Sequence, residues 1–157
     1  MTPSPYVQDY YPDDFAWCYG CGRLNERGHH FRTRWDGDVT LTEAFPERHH
    51  TAVPGFVYGG YLAALVDCHS TGSGALALHR AQGGQLGDGS PVPRCVTASL
   101  HVEYRKPTPM GVPLRAIGRV AEVTSKKAVI DTQVWAGETL CVEARAVVVL
   151  IPDTMRG

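Results

Sequence analysis

Two glycines and one acid in the same apolar stretch have the clearest potential for chemistry. Gly59 and Gly60 open a run that reaches Asp67 without another charged residue. The first turn of a helix leaves backbone N–H groups unpaired and carries partial positive charge, so it can stabilise a developing anion. Glycine lets a ligand carbonyl approach that backbone closely. Because an acid in an apolar helix is costly unless paired, Asp67 is a candidate for catalysis, and the set predicts acyl transfer or hydrolysis.

Asp67 has two possible catalytic roles and one structural alternative. It could be a general base that activates water, or a nucleophile that forms a mixed anhydride, and the sequence does not separate these. The alternative is a buried carboxylate that only hydrogen-bonds to nearby groups. The glycines could ease a tight helix entry, and they could also supply the anion site. We expect the Gly60 N–H to be the main donor, with Gly59 in support.

A helix and several strands must position these residues. Segments 31–35 and 39–45 flank Asp36-Gly37-Asp38, which contains a strong hairpin signal. From Gly59 to about Arg80 the chain is apolar on nearly every side, which predicts a buried helix. Small residues along this helix would let a sheet pack closely against it. Strand-like segments follow at 96–104, 114–123, 128–134 and 139–151, and their short connections predict antiparallel neighbours.

The segment 96–104 alternates with a period of two. Val96, Ala98 and Leu100 occupy one set of positions, while Thr97 and Ser99 occupy the other. This pattern places Thr97 on the polar face of its strand. The order of two strands, one long helix and four strands predicts an α+β fold, with residues 1–157 in one domain and an irregular lead over about 1–30.

Composition limits the class of protein. The chain has 157 residues, 43% apolar and 20% charged, which is ordinary for a globular domain. Its net charge of -1 argues against general binding to nucleic acid or to an anionic membrane. No apolar run reaches the roughly 18 to 20 residues of a membrane span, and no signal peptide is visible. The five scattered cysteines fit reduced thiols, so we expect a cytoplasmic protein.

Three motifs, in this order, resemble the phenylacetate-type branch of the hotdog-fold acyl-CoA thioesterases. Segment 18–28, with Cys18-Tyr-Gly-Cys-Gly and then Asn25, is similar to that branch's Cys-x-x-Cys-Gly…Asn-x-x-Gly lead. Segment 54–60 followed by Asp67 resembles its Pro-Gly-x-x-His-Gly-Gly…Asp signature. Segment 96–107, which ends in Arg-Lys-Pro, resembles its strand and basic turn. Together the motifs cover about residues 15 to 151.

The resemblance implies a curved antiparallel sheet wrapped around one long helix, and an enzyme that hydrolyses acyl-CoA without a cofactor or a metal. It also implies that each site is built from two subunits, so we expect a homodimer or a homotetramer. The catalytic positions that it implies are Asp67, Gly60, Gly59 and Thr97. The positions implied for substrate binding are Tyr58, Asn25, Arg105 and Lys106.

One departure from the family pattern concerns Tyr58, where the family usually has histidine. A tyrosine hydroxyl can donate a hydrogen bond, but it cannot change protonation near neutral pH as an imidazole does. The alternative function is therefore a non-catalytic acyl-CoA-binding hotdog protein. A hotdog dehydratase is less favoured, because the helix lacks the Asp-x-x-x-x-His pattern of an acid–base pair.

Three further features have two interpretations each. Thr97 could hold the attacking water against Asp67, or be an ordinary β-branched strand residue. Arg105 and Lys106 could bind the phosphates of coenzyme A, or be a solvated surface pair. Cys18-x-x-Cys21 invites a zinc or redox interpretation, but a structural zinc needs four ligands. His29 and His30 could supply two more ligands, but their spacing from Cys18 and Cys21 is not that of a familiar zinc finger. No metal is therefore predicted.

Overall fold

The computed structural model describes residues 2–156, in which one long helix packs against one antiparallel sheet. The helix α1 spans Gly59–Ala81. The six strands are β1 (Thr33–Asp36), β2 (Val39–Ala44), β3 (Cys95–Tyr104), β4 (Leu114–Val123), β5 (Lys127–Ala136) and β6 (Thr139–Leu150). Short 3₁₀ helices lie at Val7–Tyr10, Asp13–Phe15 and Asp153–Met155.

The sheet has the strand order β1-β2-β4-β5-β6-β3, and every neighbouring pair is antiparallel. The β1–β2 hairpin pairs Asp36 with Val39, and Gly37 in its turn has a φ of 64°, which glycine adopts without strain. The strand β3 follows the helix and lies at one edge of the sheet. This architecture confirms the predicted α+β hotdog fold.

The helix is buried along most of its length. Leu65, Val66, Leu76 and Leu78 are at most 2% exposed, as expected for a helix that is apolar on nearly every side. Small residues allow the sheet to approach closely: a Cβ atom at Gly74 would overlap the Val148 side chain on β6. The predicted close packing of sheet and helix is therefore confirmed.

A polar network crosses the core between α1 and the first two strands. His69 is fully buried, and its Nδ1 forms a 2.7 Å hydrogen bond with the Thr42 hydroxyl. Its Nε2 lies 3.4 Å from the Thr40 hydroxyl, which in turn is 2.6 Å from that of Ser73. Burial lowers the pKa of His69 to about 3, so the imidazole is neutral at physiological pH.

The strand β3 corrects the predicted alternation of its side chains. Its pairing with β6 shifts between Thr97 and Ser99, so Ala98 forms a β-bulge. Thr97 pairs with Val148 and Leu100 with Ala146, two buried residues on the same face of β6. Thr97 therefore faces the helix together with Leu100, and the predicted placement on the opposite, polar face was wrong because an extra residue reverses the alternation.

The lead before β1 packs against the end of the sheet and the helix. Val7 and Tyr11 belong to one hydrophobic cluster with helix residues such as Leu76, and Cys21 and Phe31 belong to a second cluster around Leu65. Among residues 2–156, none of the helices combines the length and apolar composition that a bilayer crossing requires.

Candidate active site

One stripe of the first two turns of α1 is open while the rest of the helix is buried. Gly60 is exposed, and Ala63, Ala64 and Asp67 are only half-buried, whereas the residues between them are buried. These positions follow the i, i+3, i+4, i+7 spacing of a single helix face. The stripe is lined by small side chains and ends at a carboxylate, so a ligand or another chain can reach both of its ends.

Asp67 is held by a side chain on the neighbouring strand. The Thr97 hydroxyl of β3 donates a hydrogen bond to Asp67 Oδ1. The bulge at Ala98 lets both Thr97 and Leu100 face the helix. The O–H of Thr97 is used in this hydrogen bond, and the lone pairs of its oxygen remain able to accept a hydrogen bond from water.

The start of α1 presents free backbone donors. Tyr58 is the N-cap, and its carbonyl accepts from the N–H groups of Tyr61 (3.0 Å) and Leu62 (3.3 Å). Within residues 2–156, the N–H groups of Gly59 and Gly60 have no acceptor. Unpaired donors at the positive end of a helix are what an anion site requires, and the binding of an anion at Gly59 and Gly60 stays a prediction.

Two tyrosines flank this helix start in different ways. The Tyr104 hydroxyl, at the end of β3, donates a 2.8 Å hydrogen bond to the Gly59 carbonyl and so ties the helix to the strand. The Tyr58 side chain is 57% exposed, and its ring lies directly beside the Cα atom of Gly60. A Cβ atom at residue 60 would overlap that ring, so glycine here also accommodates Tyr58.

A groove beside the helix start contains the predicted basic pair. It has a volume of about 410 Å³, and its lining includes Gly59, Phe56, Tyr104, Arg105 and Lys106. Arg105 forms an exposed ion pair with Glu143 at 3.4 Å. Within the described chain Lys106 has no such partner, so its charge is the one more available to an anionic ligand.

The structure therefore gathers the predicted residues into two groups. Gly59, Gly60 and Tyr58 lie at the helix start near the basic pair, while Asp67 and Thr97 lie two turns further along. Asp67 is seven positions after Gly60 in the helix, which corresponds to about 10 Å along the axis. The two groups of one chain are too far apart to act on the same carbonyl.

Asn25 lies in the lead, and its side chain is engaged locally. Its Nδ2 donates to the Trp17 carbonyl at 3.1 Å, and its Oδ1 accepts from the Arg27 N–H at 3.1 Å. These bonds shape the turn around residue 25. A role for Asn25 in substrate binding stays a prediction.

Two features of this region were missed from the sequence. Tyr104 was treated as an ordinary strand residue, although an exposed aromatic residue at a strand end, next to a basic turn, was a possible signal. Cys68 follows Asp67 directly, and its thiol lies near those of Cys18 and Cys21. Nothing in the spacing of 18, 21 and 68 indicates that contact, because it depends on how the lead folds onto the helix.

The comparisons with a family model and with solved structures point to the same family. The model of a family described as the thioesterase superfamily matches residues 54–143, a range that includes the helix start, Asp67, Thr97 and the basic pair. Among curated proteins, none matches this chain.

Solved structures with the same fold include several thioesterases. A thioesterase superfamily protein from Shewanella loihica PV-4 is 36% identical, with a TM-score of 0.68 over 90% of this chain and 100% of that one. The E. coli PaaI protein from the phenylacetic acid degradation operon is 13% identical, with a TM-score of 0.62 over 79% of this chain and 81% of that one. A hypothetical thioesterase from Streptococcus pneumoniae TIGR4, crystallised with coenzyme A, is 16% identical, with a TM-score of 0.61 over 77% and 85%.

Proposed function

The chain belongs to the thioesterase superfamily and is a thioester hydrolase, and from this premise we propose that it hydrolyses acyl-CoA. The observation that carries the proposal is the Asp67–Thr97 pair on the open stripe of a helix whose first N–H groups are unpaired. Such a stripe supplies a carboxylate for attack at one end and oxyanion donors at the other, and a second copy of the chain would bring the two kinds of group together. It is also the region that the family match covers.

In this mechanism the Gly60 N–H, supported by Gly59, binds the thioester carbonyl oxygen. A donor aimed at the oxyanion contributes about 3 to 4 kcal/mol to catalysis. The carbonyl carbon is then attacked in one of two ways. Asp67 deprotonates a water molecule that attacks, or Asp67 attacks directly as a nucleophile. Thr97 holds the carboxylate in position. In the general-base route, the proton that Asp67 takes from the attacking water passes to the leaving coenzyme A thiolate, and the carboxylic acid is released. In the nucleophilic route, the thiolate leaves as the anhydride with Asp67 forms, and a water molecule then hydrolyses the anhydride to the acid and free Asp67.

Coenzyme A fits the groove at the helix start by its charge and shape. The groove joins apolar walls, including Phe56 and Leu62, to the basic residues Arg105 and Lys106. Adjacent cations suit phosphate groups, and the apolar wall suits the pantetheine arm. The coenzyme A in the S. pneumoniae neighbour supports the same ligand for this chain.

We propose that the complete site forms between two copies of the chain. The strand β3 is ten residues long and lies at the sheet edge, where its outward backbone groups can pair with a second copy. Antiparallel pairing along β3 sets the Thr97 end of one copy against the Tyr104 end of the other. Asp67 would then face the partner's helix start. A homodimer satisfies this requirement, and a homotetramer would contain two such pairs.

Location in the cytoplasm is part of the same proposal. All five cysteines are free, and free buried thiols are typical of proteins in a reducing compartment. Acyl-CoA esters are substrates that such a compartment contains.

The substitution Asp67→Asn tests the catalytic assignment. It removes the charge and keeps the shape, so we expect thiol release from a panel of CoA esters to fall by about 10²- to 10⁴-fold. Asp38→Asn, at an exposed hairpin position, is the matched control and should leave turnover unchanged. Thiol release is measured with a chromogenic disulfide, and circular dichroism checks the fold.

Two outcomes would contradict the proposal. Near-native turnover in Asp67→Asn would remove this residue from the mechanism. Saturable binding of CoA esters without thiol release by the wild-type protein would favour the non-catalytic alternative that Tyr58 suggests.

A further inference from the structure

Three cysteine thiols meet beside the candidate active site. Cys18 and Cys21 come from the lead, and Cys68 comes from α1, one residue after Asp67. Their sulfur atoms all lie within 4.8 Å of one another, and the Cys18 and Cys68 sulfurs are 3.9 Å apart. In residues 2–156 this is the only group of three or more metal-binding side chains gathered so closely.

The spacing fits metal ligands. Tetrahedral zinc binds thiolate sulfur at about 2.3 Å, which places two such sulfurs about 3.8 Å apart. A disulfide would need about 2.05 Å between sulfurs. Thiols that hydrogen-bond to one another also lie at such distances. The surroundings of the cluster distinguish a metal site from hydrogen-bonded thiols.

The charge around the cluster provides that support. Arg94 lines the same cavity as Cys18, and its positive charge acts on the Cys21 thiol. Zn²⁺ bound by three thiolates carries one net negative charge, which a single guanidinium balances. Cu⁺ on the same thiolates would leave one negative charge uncompensated in a buried place, so the charge balance favours zinc.

A buried hydroxyl next to the cluster adds a second observation. Tyr11 is 3% exposed, and its hydroxyl has no hydrogen-bond partner within the described residues. The Arg94 guanidinium lies 5.0 Å from the centre of its ring. Burial raises the pKa of Tyr11, the Arg94 charge opposes that rise, and the charges of Cys21, Cys95 and Cys68 add to it. The hydroxyl is therefore a donor available to an anionic group at the cluster.

Access to the cluster is also suitable. A cavity of about 450 Å³, lined by Trp17, Arg94 and Met155 among others, reaches Cys18 from the surface. It offers an entry path and room for a fourth ligand.

Cys68 supplies a third ligand that the sequence did not indicate, and a water molecule from the cavity can occupy the fourth position. We propose that Cys18, Cys21 and Cys68 bind one Zn²⁺ ion in this way. The ion would link the lead to α1 next to Asp67. Its main effect would be to stabilise that junction, because a site absent from the unfolded chain adds its binding free energy to folding. The proposal does not depend on the thioesterase mechanism.

Cobalt titration of the reduced, metal-free full chain tests this site. We expect one Co²⁺ per chain, with a near-ultraviolet thiolate-to-cobalt band and the visible bands of tetrahedral coordination, both removed by one equivalent of Zn²⁺. Cys18→Ser, which alters the least buried ligand, should weaken zinc binding by at least about 100-fold in competition with a chromophoric chelator. Zinc should also raise the melting temperature of the wild type and not of this variant.

Cys141→Ser is the matched control, since Cys141 is a buried free cysteine outside the cluster. It should bind cobalt as the wild type does. A chain that keeps five reactive thiols yet shows no thiolate–cobalt band would overturn the proposal. So would a band that Cys18→Ser leaves unchanged, or a Cys18–Cys21 disulfide in protein that takes up no metal after reduction.

Discussion

The hydroxyl of Thr97 fixes the orientation of the Asp67 carboxylate. The sequence left two interpretations of Thr97 open, and its contact with Asp67 favours a role in positioning the carboxylate. A hydrogen bond to a charged group is typically worth about 1.5 to 3 kcal/mol. If the carboxylate acts in the transition state, that bond contributes to kcat more than to substrate binding.

Thr97→Val and Thr97→Ser form a matched pair at this position. Valine keeps the shape of threonine and lacks the hydroxyl, so we expect kcat to fall by about 10- to 100-fold, with little change in KM. Serine keeps the donor and should retain most of the activity. Steady-state kinetics with one CoA ester measures both values, and equal turnover in the two variants would exclude the positioning role.

At the scale of elements, the strand β4 leaves space for the polar network of the helix. Gly118 lies against Thr40 and His69, and a Cβ atom there would overlap both side chains. The network is fully buried, so its hydrogen bonds have no water to replace them. This part of the core depends on close packing of polar groups as much as on apolar burial.

Gly118→Ala should destabilise the fold by about 1 to 3 kcal/mol, because overpacking of a rigid site forces its neighbours to move. The destabilisation should be smaller in a His69→Asn background, since asparagine is a smaller side chain than histidine. Urea unfolding of the wild type, the two single variants and the double variant gives the coupling free energy between residues 118 and 69. Strict additivity would mean that residues 118 and 69 do not compete for the same space.

The neutral state of His69 predicts a loss of stability in acid. Its pKa of about 3 in the folded state lies below the 6.5 of an ordinary histidine, so the unfolded chain binds a proton first as the pH falls. Stability is therefore complete above pH 6.5 and decreases below it, by at most about 1.4 kcal/mol per pH unit. Burial also lowers the pKa of His29 and His50, which adds to the loss of folding stability in acid.

Urea unfolding at pH 7 and pH 5 separates the His69 contribution from the others. The wild type should lose about 2 kcal/mol more between these values than His69→Asn does. The carboxylates with a lowered pKa, Asp88, Glu103 and Asp131, protonate mainly below this window. The same loss in both proteins would show that His69 is not the group that titrates.

The sequence predicted most elements, because each has a strong local pattern. The helix is apolar all round, the Asp36-Gly37 turn is a hairpin signal, and the later strands alternate clearly. The bulge at Ala98 and the meeting of Cys18 with Cys68 could not be predicted, since both depend on pairing between distant segments. The glycines and Asp67 could be identified from the helix motif, and their separation by two turns follows from their spacing in the sequence. That the two meet across a contact between subunits stays a prediction.

At the scale of the whole molecule, the separation of Gly60 from Asp67 makes assembly part of the proposed mechanism. The exposed aromatic residues Phe56, Tyr58 and Tyr104 surround the helix start, and the edge strand β3 runs beside them. Exposed apolar side chains next to an unpaired edge are typical of an interface. One copy of the chain would then be inactive alone.

Mixing two inactive variants tests this dependence on assembly. Asp67→Asn lacks the carboxylate, and Gly60→Pro lacks the N–H donor. In a mixed dimer, one site combines the intact Asp67 of one copy with the intact Gly60 of the other. Random assortment after refolding together should restore about one quarter of wild-type activity.

Gly60→Ala is the control for the added bulk, because it keeps the donor while it displaces the Tyr58 ring. It should lose less activity than Gly60→Pro. Activity that stays at background in the mixture, although mixed dimers are detected by native mass spectrometry, would place the whole site within one chain.

The bulge at Ala98 also marks a place where this gene can lose a codon. Loss of that codon would remove one small, exposed residue and would leave Thr97 opposite Val148 and Ser99 opposite Val147, as they are now. The ladder would become regular, and Thr97 would still face Asp67. Natural variants should therefore lack this alanine more readily than they lack a residue of β6 opposite it, since a deletion there would shift the register with two neighbouring strands.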